Sequence, residues 1–339
     1  MPARAQMSPP LREEARATGI DRAGADNLAA IDCGTLSTRL LVSTPAGAPL
    51  QRRATITHLG EGVDRSGYLS PAGVERALGA LRDYRRVMDG LGVARARMVG
   101  TSALRDAANR DVFSERAASV MGVELELLAG EAEAELSFAG ATGDLPAQEA
   151  PYLVADIGGG STELVSGPEP WAAVSLDLGC VRVAERFFRQ DPPTADELAH
   201  ARRFLEEQYR HASTQAPALA RARCLVGLAG TVSALACVDL GLRAYDRRVV
   251  HHHRLSRRAV DGALGRLAAL PAQARSSVPG IEPARAPFIL AGTVVLSMLM
   301  AFFGFDDCTV SEADILDGLV LTLVARGRPG TAAGSIPES

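Results

Sequence analysis

The spacing of apolar and polar residues predicts strands and helices that alternate along the chain. Three apolar, β-branched segments predict strands at 28–31, 40–43 and 53–58. Ser70 followed by Pro71 is typical of a helix start, so we expect a helix from there to about residue 91. Shorter strands and helices then alternate as far as residue 140, which favours parallel strands joined by helical crossovers.

A second series of strands and helices begins after a polar, proline-containing interruption at 143–151. Its first hairpin carries Asp156-x-Gly-Gly-Gly-Ser-Thr, which repeats the pattern of Asp32-x-Gly-Thr-x-Ser in the first series. An internal repeat of this kind predicts two similar domains that face each other across a cleft. We place the first domain at 27–140, with the last helix, 312–326, packed back onto it, and the second domain at 141–311.

Both ends of the chain are predicted to be disordered, at 1–26 and at 327–339. The first of these segments is rich in Ala, Arg and Pro, and it has the pattern of neither a secretory signal nor a membrane span. The most apolar stretch, 288–305, is interrupted by glycines and by polar Thr293 and Ser297. We therefore expect a buried helix there and no membrane as a partner.

Charge and residue types narrow the range of partners. The formal net charge is −4 and there is no long basic run, which disfavours non-specific binding of nucleic acid. All 36 basic residues are Arg, so cationic contacts to a substrate must come from Arg, backbone amides or a metal ion. The five cysteines are widely scattered, and we interpret them as reduced thiols of a cytoplasmic protein.

The segment DIGGGSTE at 156–163 carries the strongest chemical signal. Successive glycines allow a backbone to approach a ligand closely, and their amides can converge on one anion. We predict that phosphate is bound by Gly158, Gly159, Gly160, Ser161 and Thr162. Asp156 and Glu163 flank the turn with carboxylate oxygens, which suit Mg²⁺, with Mn²⁺ as the alternative ion.

Three other segments carry weaker signals of related chemistry. GTSALRDA presents Arg105, whose planar guanidinium suits phosphate unless it forms a structural ion pair with an acid such as Asp106. GLAGTVSAL lies between a predicted strand and a helix N-terminus, a common position for anion binding. From this segment and from the turn of the first repeat we predict further phosphate-binding residues: Asp32, Gly34, Thr35, Ser37, Gly230 and Thr231.

Two clusters of titratable residues need separate interpretation. Glu131, Glu133 and Glu135 alternate at the start of a predicted helix, so we expect only one of them to point into the cleft. The run HHH at 251–253 suggests a metal site, but neighbouring residues on a strand point to opposite faces. We therefore expect a surface or sheet-edge run that does not bind one ion through all three side chains.

Taken in order, these segments resemble the exopolyphosphatase / guanosine pentaphosphate phosphohydrolase family, within the actin-like, Hsp70-like and sugar-kinase superfamily. The resemblance covers about residues 28–325 and rests on IDCGTLSTRLLV, LGEGVDRSGYLS, GTSALRDAANRDVF, LAGEAEAELSFAGA, VADIGGGSTELV, LGCVRVAERF, GLAGTVSALA and VSEADILDG. It implies two ribonuclease H-like α/β domains that flank an active-site cleft, in a short two-domain form. A homodimer is an expectation from the resemblance alone.

The resemblance also implies an activity, the magnesium-assisted removal of terminal phosphate from inorganic polyphosphate. Asp156 and Glu163 match the family's magnesium-binding acids, and Arg105 matches its phosphate-clamping arginine. Glu133 matches the acid that orients or activates the attacking water. Guanosine pentaphosphate is the alternative substrate, because a pocket that handles only the terminal phosphoryl group does not separate the two.

The chain departs from the family's usual pattern at three positions: Leu36 for Asn, His58 for Arg, and Ala132 for an acid. Leu36 removes a side-chain amide from the first phosphate turn, so we expect altered activity or chain-length preference. These departures motivate an alternative function, a polyphosphate or nucleotide sensor with reduced turnover. A sugar or acetate kinase of the same superfamily is a further alternative, against which the GEAEAEL segment argues.

Overall fold

A computed structural model of the protein describes residues 26–169 and 171–326. The predicted extension at 1–26, apart from its last residue, and the predicted tail at 327–339 lie outside the described residues. The described strands are β1 (Asn27–Cys33), β2 (Ser37–Ser43), β3 (Pro49–Ile56), β4 (Val93–Gly100), β5 (Leu125–Leu127), β6 (Tyr152–Ile157), β7 (Thr162–Gly167), β8 (Ala172–Leu176), β9 (Cys224–Leu228), β10 (Arg254–Ser256) and β11 (Asp307–Val310). The described helices are α1 (Val63–Ser66), α2 (Pro71–Gly90), α3 (Ser102–Asp106), α4 (Arg110–Met121), α5 (Gly130–Thr142), α6 (Cys180–Phe187), α7 (Ala195–Gln215), α8 (Ala229–Asp239), α9 (Arg247–Val250), α10 (Arg257–Ala268), α11 (Ala272–Arg275), α12 (Ala286–Phe303) and α13 (Ile315–Arg326).

The first sheet has the strand order β3-β2-β1-β4-β5. β2 is antiparallel to both β1 and β3, whereas β1, β4 and β5 are parallel. All seven residues of β1 are buried, because both faces of the sheet are covered. Ala29 and Ile31 pack with residues of α2 and α4 on one face, and Ala30 packs with residues of α13 on the other.

The second sheet, in the order β10-β11-β9-β6-β7-β8, repeats the arrangement of the first. β6 and β7 form the antiparallel hairpin, β8 pairs antiparallel with β7, and β6, β9 and β11 are parallel. The additional strand β10 joins antiparallel to β11 at the edge. The structure thus has the predicted fold class, an α/β chain with two ribonuclease H-like units that present equivalent hairpins, β1–β2 and β6–β7.

Two helices connect the units. α5 packs on the second sheet through Ala134, Phe138 and Ala141, although the predicted boundary at residue 140 assigned this helix to the first domain. α13 packs back onto the first sheet, which is the position expected for the last helix. The two helices cross at glycines: a Cβ at Gly140 would lie 2.0 Å from the Asp314 carbonyl oxygen. The exact domain boundaries stay a prediction.

Local signals placed several elements accurately. Ser70 caps α2 by accepting a hydrogen bond from Gly73 N, and Thr194 and Glu197 form a capping box on α7. The third strand, β3, begins at residue 49 and not at the predicted residue 53, because its pairing with β2 starts there. β5 is short, because its pairing with β4 covers three residues only.

The long apolar helix lies in the core of the second unit. α12 buries most of its length, and Ile289, Leu290 and Val294 are fully enclosed. Among the described helices, this one with its preceding turn (Pro283–Phe303) is long and apolar enough to span a membrane by length and composition. Because 72% of its most apolar window is buried inside the protein, we interpret it as a core helix.

Candidate active site

The repeated sequence pattern forms the same turn in both units. Gly34 N donates to the Ser37 carbonyl oxygen at 3.0 Å, and Gly158 N donates to the Ser161 carbonyl oxygen at 3.0 Å. In each turn a Cβ on the glycine would lie about 3 Å from that same carbonyl. The predicted internal repeat is therefore a structural one, with Leu36 at the position of Gly160.

The second turn directs its backbone amides away from α6. The carbonyls of Gly158 and Gly159 accept hydrogen bonds from the first amides of α6, both at 2.9 Å, and the carbonyl of Gly160 accepts one from Arg182 Nε at 2.8 Å. In a trans peptide the following N–H points opposite to the carbonyl. Within the described residues, the amides of Gly159, Gly160 and Ser161 have no acceptor, so they form a nest for an anion.

The first turn is held in the same way by the loop at 57–60. The carbonyl of Thr35 accepts from Gly60 N, and the carbonyl of Leu36 accepts from the amides of Thr57 and His58. The side chain of Leu36 is 5% exposed and belongs to the apolar core of the second unit. Leu36 therefore makes an apolar contact between the units, and its turn offers backbone amides rather than a side-chain amide.

The two turns meet at an interdomain cleft of about 750 Å³. A Cβ at Gly160 would lie 2.7 Å from Thr35 Oγ1 and 2.5 Å from Ser102 Oγ, so a larger residue would have to displace both hydroxyls. The predicted site residues that line the cleft are Asp32, Gly34, Thr35, Ser37, Glu133, Asp156, Gly158, Gly159, Gly160, Ser161, Glu163 and Gly230.

Buried carboxylates on both hairpins face this cleft. Asp32 accepts from Arg39 through Oδ2, and within the described residues its Oδ1 has no hydrogen-bond partner. Asp156 accepts from Ser137 Oγ and Glu163 from Ser175 Oγ, each at 2.8 Å. Burial raises the pKa of Asp156, and it raises the pKa of Glu163 well above its usual range. A cation at this pair would remove the electrostatic cost of ionising both carboxyls.

Glu133 is the buried member of the alternating glutamates on α5, whereas Glu131 and Glu135 are exposed, as the spacing predicted. Its Oε2 accepts a hydrogen bond of 2.6 Å from Arg105 Nη1. Burial raises the pKa of Glu133 to about 7, against the opposing effect of Arg105. Arg105 also donates to the Leu128 carbonyl and lies behind Glu133 rather than in the cleft lining.

Two predicted phosphate-binding residues lie elsewhere. The Thr162 hydroxyl donates to the Leu178 carbonyl inside the second unit. The Thr231 side chain faces α12, where a Cβ at Gly292 would lie 2.3 Å from Thr231 Oγ1. Both residues follow a glycine turn in sequence, but the strand or helix that starts there turns their side chains into the core.

Sequence reasoning missed Arg285, which lies over Gly230 at the cleft. A Cβ at Gly230 would lie 2.2 Å from the guanidinium carbon of Arg285. Burial lowers the pKa of Arg285, and no ion-pair partner lies within 4.0 Å of it among residues 26–169 and 171–326. The residues that flank Arg285 form no motif. The one sequence feature that pointed to it is the absence of Lys, because a cationic side chain that contacts the substrate must then be an Arg.

The histidine run is not part of a strand, so the reason for excluding it as a metal site was wrong. His252 has a φ of 65°, and this turn brings His251 and His252 together beside Asp144. His253 pairs with Asp239 instead. His251 Nδ1 accepts from Glu312 N, which leaves the proton on Nε2, hydrogen-bonded to Asp144, and opposes metal binding through that atom.

Comparisons with known proteins agree with this geometry. The model of the Ppx/GppA phosphatase family matches residues 42–326. Exopolyphosphatase 2 of Mycobacterium tuberculosis is 41% identical over 314 residues, which cover 87% of this chain and 98% of that protein.

Solved structures show the same similarity. A crystal structure of an exopolyphosphatase-like protein superposes with a TM-score of 0.85 at 33% identity, covering 88% of this chain and 99% of that one. The Ppx/GppA family member of Aquifex aeolicus superposes with a TM-score of 0.72 at 30% identity, covering 89% and 99%. From the family match over most of its length and these relatives, the chain belongs to the Ppx/GppA phosphatase family.

Proposed function

We propose that this protein is an exopolyphosphatase that releases orthophosphate from the end of inorganic polyphosphate. The observation that carries the proposal is the convergence of two amide-lined turns with the buried carboxylate of Glu133 in one cleft. The turns suit the oxygens of a terminal phosphoryl group, because backbone amides and hydroxyls bind anions without a mobile side chain. The protein's membership of the family and its exopolyphosphatase relative support the substrate class.

Glu133 would orient the attacking water in line with the bond to the leaving phosphate. Because its pKa is about 7, it can accept a proton from that water near neutral pH. Arg105 fixes the Glu133 carboxylate through one hydrogen bond and neutralises part of its charge. Phosphoryl transfer depends mainly on positioning and charge stabilisation, which these groups provide without a covalent intermediate.

Asp156 and Glu163 would hold Mg²⁺, which neutralises charge on the phosphoryl oxygens when it is bound. They lie directly opposite each other across the β6–β7 pair, both buried and both with raised pKa values. Manganese as a substitute ion, a homodimer and a cytoplasmic location stay predictions.

The rest of the cleft would hold the phosphates that come after the terminal one in the polyphosphate. Arg285 is partly buried there without a carboxylate partner in the described part of the protein, so a phosphate would compensate its charge. Arg53 and Arg243 also line the cleft. Guanosine pentaphosphate is a second candidate substrate, supported by the half-exposed ring of Tyr245 on the cleft wall, a surface on which a base could stack.

The test is orthophosphate release from polyphosphate of defined lengths and from guanosine pentaphosphate, with Mg²⁺ and with a chelator. We expect release from polyphosphate that depends on Mg²⁺ and is lost in Glu133→Gln, while the exposed Glu131→Gln control retains it. If neither substrate is cleaved, the hydrolase function is wrong, and polyphosphate binding by calorimetry would then favour the sensor. Transfer of phosphate from ATP to a sugar or acetate would instead favour the kinase.

A further inference from the structure

Arg182, in the first turn of α6, makes hydrogen bonds to both units at once. Its side chain is 10% exposed. Nε donates to the Gly160 carbonyl at 2.8 Å within the second unit. Nη1 donates to Asp64 Oδ1 at 2.6 Å and Nη2 donates to Asp106, both in the first unit.

The bond to Gly160 bears directly on the phosphate turn. The carbonyls of Gly158 and Gly159 are held by backbone amides of α6, but the carbonyl of Gly160 has Arg182 as its donor among the described residues. The peptide plane of Gly160 also contains the N–H of Ser161, which points the opposite way, into the cleft. The guanidinium therefore fixes the aim of the last amide in the nest.

The bond to Asp106 connects the same guanidinium to the other half of the site. Asp106 ends α3, and the residue before it, Arg105, donates to Glu133. Arg182 thus links the glycine turn, which we propose binds phosphate, to α3, whose Arg105 positions the Glu133 carboxylate. Nη2 also donates to Ser102 Oγ at 3.3 Å, at the start of α3. The other two acceptors in the first unit are carboxylates, so those hydrogen bonds are charge-assisted.

We propose that Arg182 is a positioning residue, which keeps the glycine turn and α3 in register when the two units are closed over the terminal phosphate. The proposal rests on the phosphate-binding role proposed for the turns, but not on the identity of the substrate. It predicts that the loss of Arg182 weakens binding of a single phosphate and lowers turnover together. Arg182 itself does not touch the substrate.

The experiment compares Arg182→Met with Arg186→Met. Arg186 shares the Asp64 carboxylate, with hydrogen bonds of 2.7 and 2.6 Å, but it has no bond to the glycine turn or to Asp106. Orthophosphate affinity is measured by calorimetry, kcat and KM by phosphate release, and folding by circular dichroism and thermal unfolding. We expect Arg182→Met to stay folded, because Asp64 keeps Arg186 and the Asp106 side chain is 35% exposed.

For Arg182→Met we expect orthophosphate affinity to fall at least about 10-fold and kcat/KM at least about 30-fold. Arg186→Met is expected to stay within about threefold of the unsubstituted protein on both measures. Arg182→Lys keeps the charge but cannot reach three acceptors with a planar fork, so it should resemble Arg182→Met. Unchanged orthophosphate affinity in folded Arg182→Met, or an equal loss in Arg186→Met, overturns the proposal.

The orthophosphate measurement separates this proposal from the proposed function. If polyphosphate is not cleaved by the unsubstituted protein, the orthophosphate affinities of the variants still decide the role of Arg182. If Arg182→Met does not fold, Asp106→Ala removes the carboxylate of α3 that pairs with Nη2 and leaves Nη2 only its 3.3 Å hydrogen bond to Ser102 Oγ on that helix. We expect that variant to lose at least about threefold in kcat/KM, and an unchanged value overturns the proposal.

Discussion

Arg39 and Glu163 occupy the same position in the two hairpins, each directly across the strand pair from the aspartate of its turn. Arg39 is paired with Asp32, and it donates two hydrogen bonds to Oδ2 of that residue, at 2.8 and 2.6 Å. Glu163 is paired with Asp156, so this second position holds two acids. The first hairpin therefore supplies its own counter-charge, whereas the second does not.

This difference predicts that metal dependence belongs to the second hairpin. In Glu163→Gln the Mg²⁺ concentration that gives half-maximal phosphate release should rise by a factor on the order of 10 or more, because a charged ligand is lost. Glu131→Gln, an exposed acid on α5, is the matched control and should leave the Mg²⁺ titration unchanged. Equal titration curves for all three proteins would exclude Glu163 as a ligand.

The raised pKa of Glu133 predicts how the rate depends on pH. The carboxylate form is the one that accepts a proton from water, so phosphate release should rise as the pH increases through about 7. The measurement is kcat/KM between pH 4.5 and 8.5 at saturating Mg²⁺, and because a bound cation lowers the pKa of a nearby carboxyl, we expect the midpoint at or below about 7. A flat profile across this range would contradict the assignment of Glu133 as the group that activates water.

The same pKa predicts a stability difference with a defined sign. Folded Glu133 holds its proton more tightly than the unfolded chain does, so ionisation destabilises the fold as the pH rises from about 4.5 through about 7. Without metal, Glu133→Gln should therefore gain stability over the unsubstituted protein by on the order of 2–3 kcal/mol at pH 8, and much less at pH 4.5. Urea unfolding at the two pH values measures this difference. If the unsubstituted protein is instead the more stable one at pH 8, the ion pair with Arg105 outweighs the cost of burying the Glu133 carboxylate.

Sequence patterns indicated both turns and the acids that flank the second one, because glycine spacing and strand ends are local properties. Glu133 was singled out from three alternating glutamates by the family resemblance alone. The patterns did not locate Arg285 or the role of Arg182, because each acts on a turn more than 20 residues away in the chain. Thr162 and Thr231 were assigned from their neighbours, but their side-chain directions depend on packing against other elements. At Leu36 the sequence predicted the loss of a hydrogen-bond donor, whereas in the structure this residue, at the edge of the cleft, packs with the core of the second unit.

Leu36→Asn tests this contact between the units. The amide would enter an apolar cluster at a cost of about 1–3 kcal/mol, so the free energy of unfolding should fall and KM for polyphosphate should not improve. Leu36→Met keeps the volume and should stay within about 1.5 kcal/mol in urea unfolding. A lower KM in a stable Leu36→Asn protein would show that the position faces phosphate.

The helix crossing between the units should not tolerate a methyl group. A Cβ at Gly140 would overlap the Asp314 carbonyl, so Gly140→Ala should lower the free energy of unfolding by about 1–3 kcal/mol or displace α13. Gly79 is the control, because nothing lies within 4 Å of a Cβ built there on α2. Gly79→Ala should raise the free energy of unfolding by about 0.5–1 kcal/mol, because Ala is the better helix former. Opposite changes in the two variants, measured by urea unfolding, would separate the effect of crowding from that of helix propensity.

Arg285 provides the clearest test of where the polyphosphate chain lies. If its guanidinium binds a phosphate next to the terminal one, Arg285→Gln loses a charge-assisted hydrogen bond of about 1.5–3 kcal/mol, which corresponds to a roughly 10- to 100-fold higher KM. kcat should change little, because Glu133 and the turns are untouched. Arg248→Gln, at an exposed arginine paired with Asp246, controls for the loss of one positive charge and should leave KM within about twofold at 0.15 M salt. A fall in kcat with an unchanged KM would instead place Arg285 at the reacting phosphoryl group.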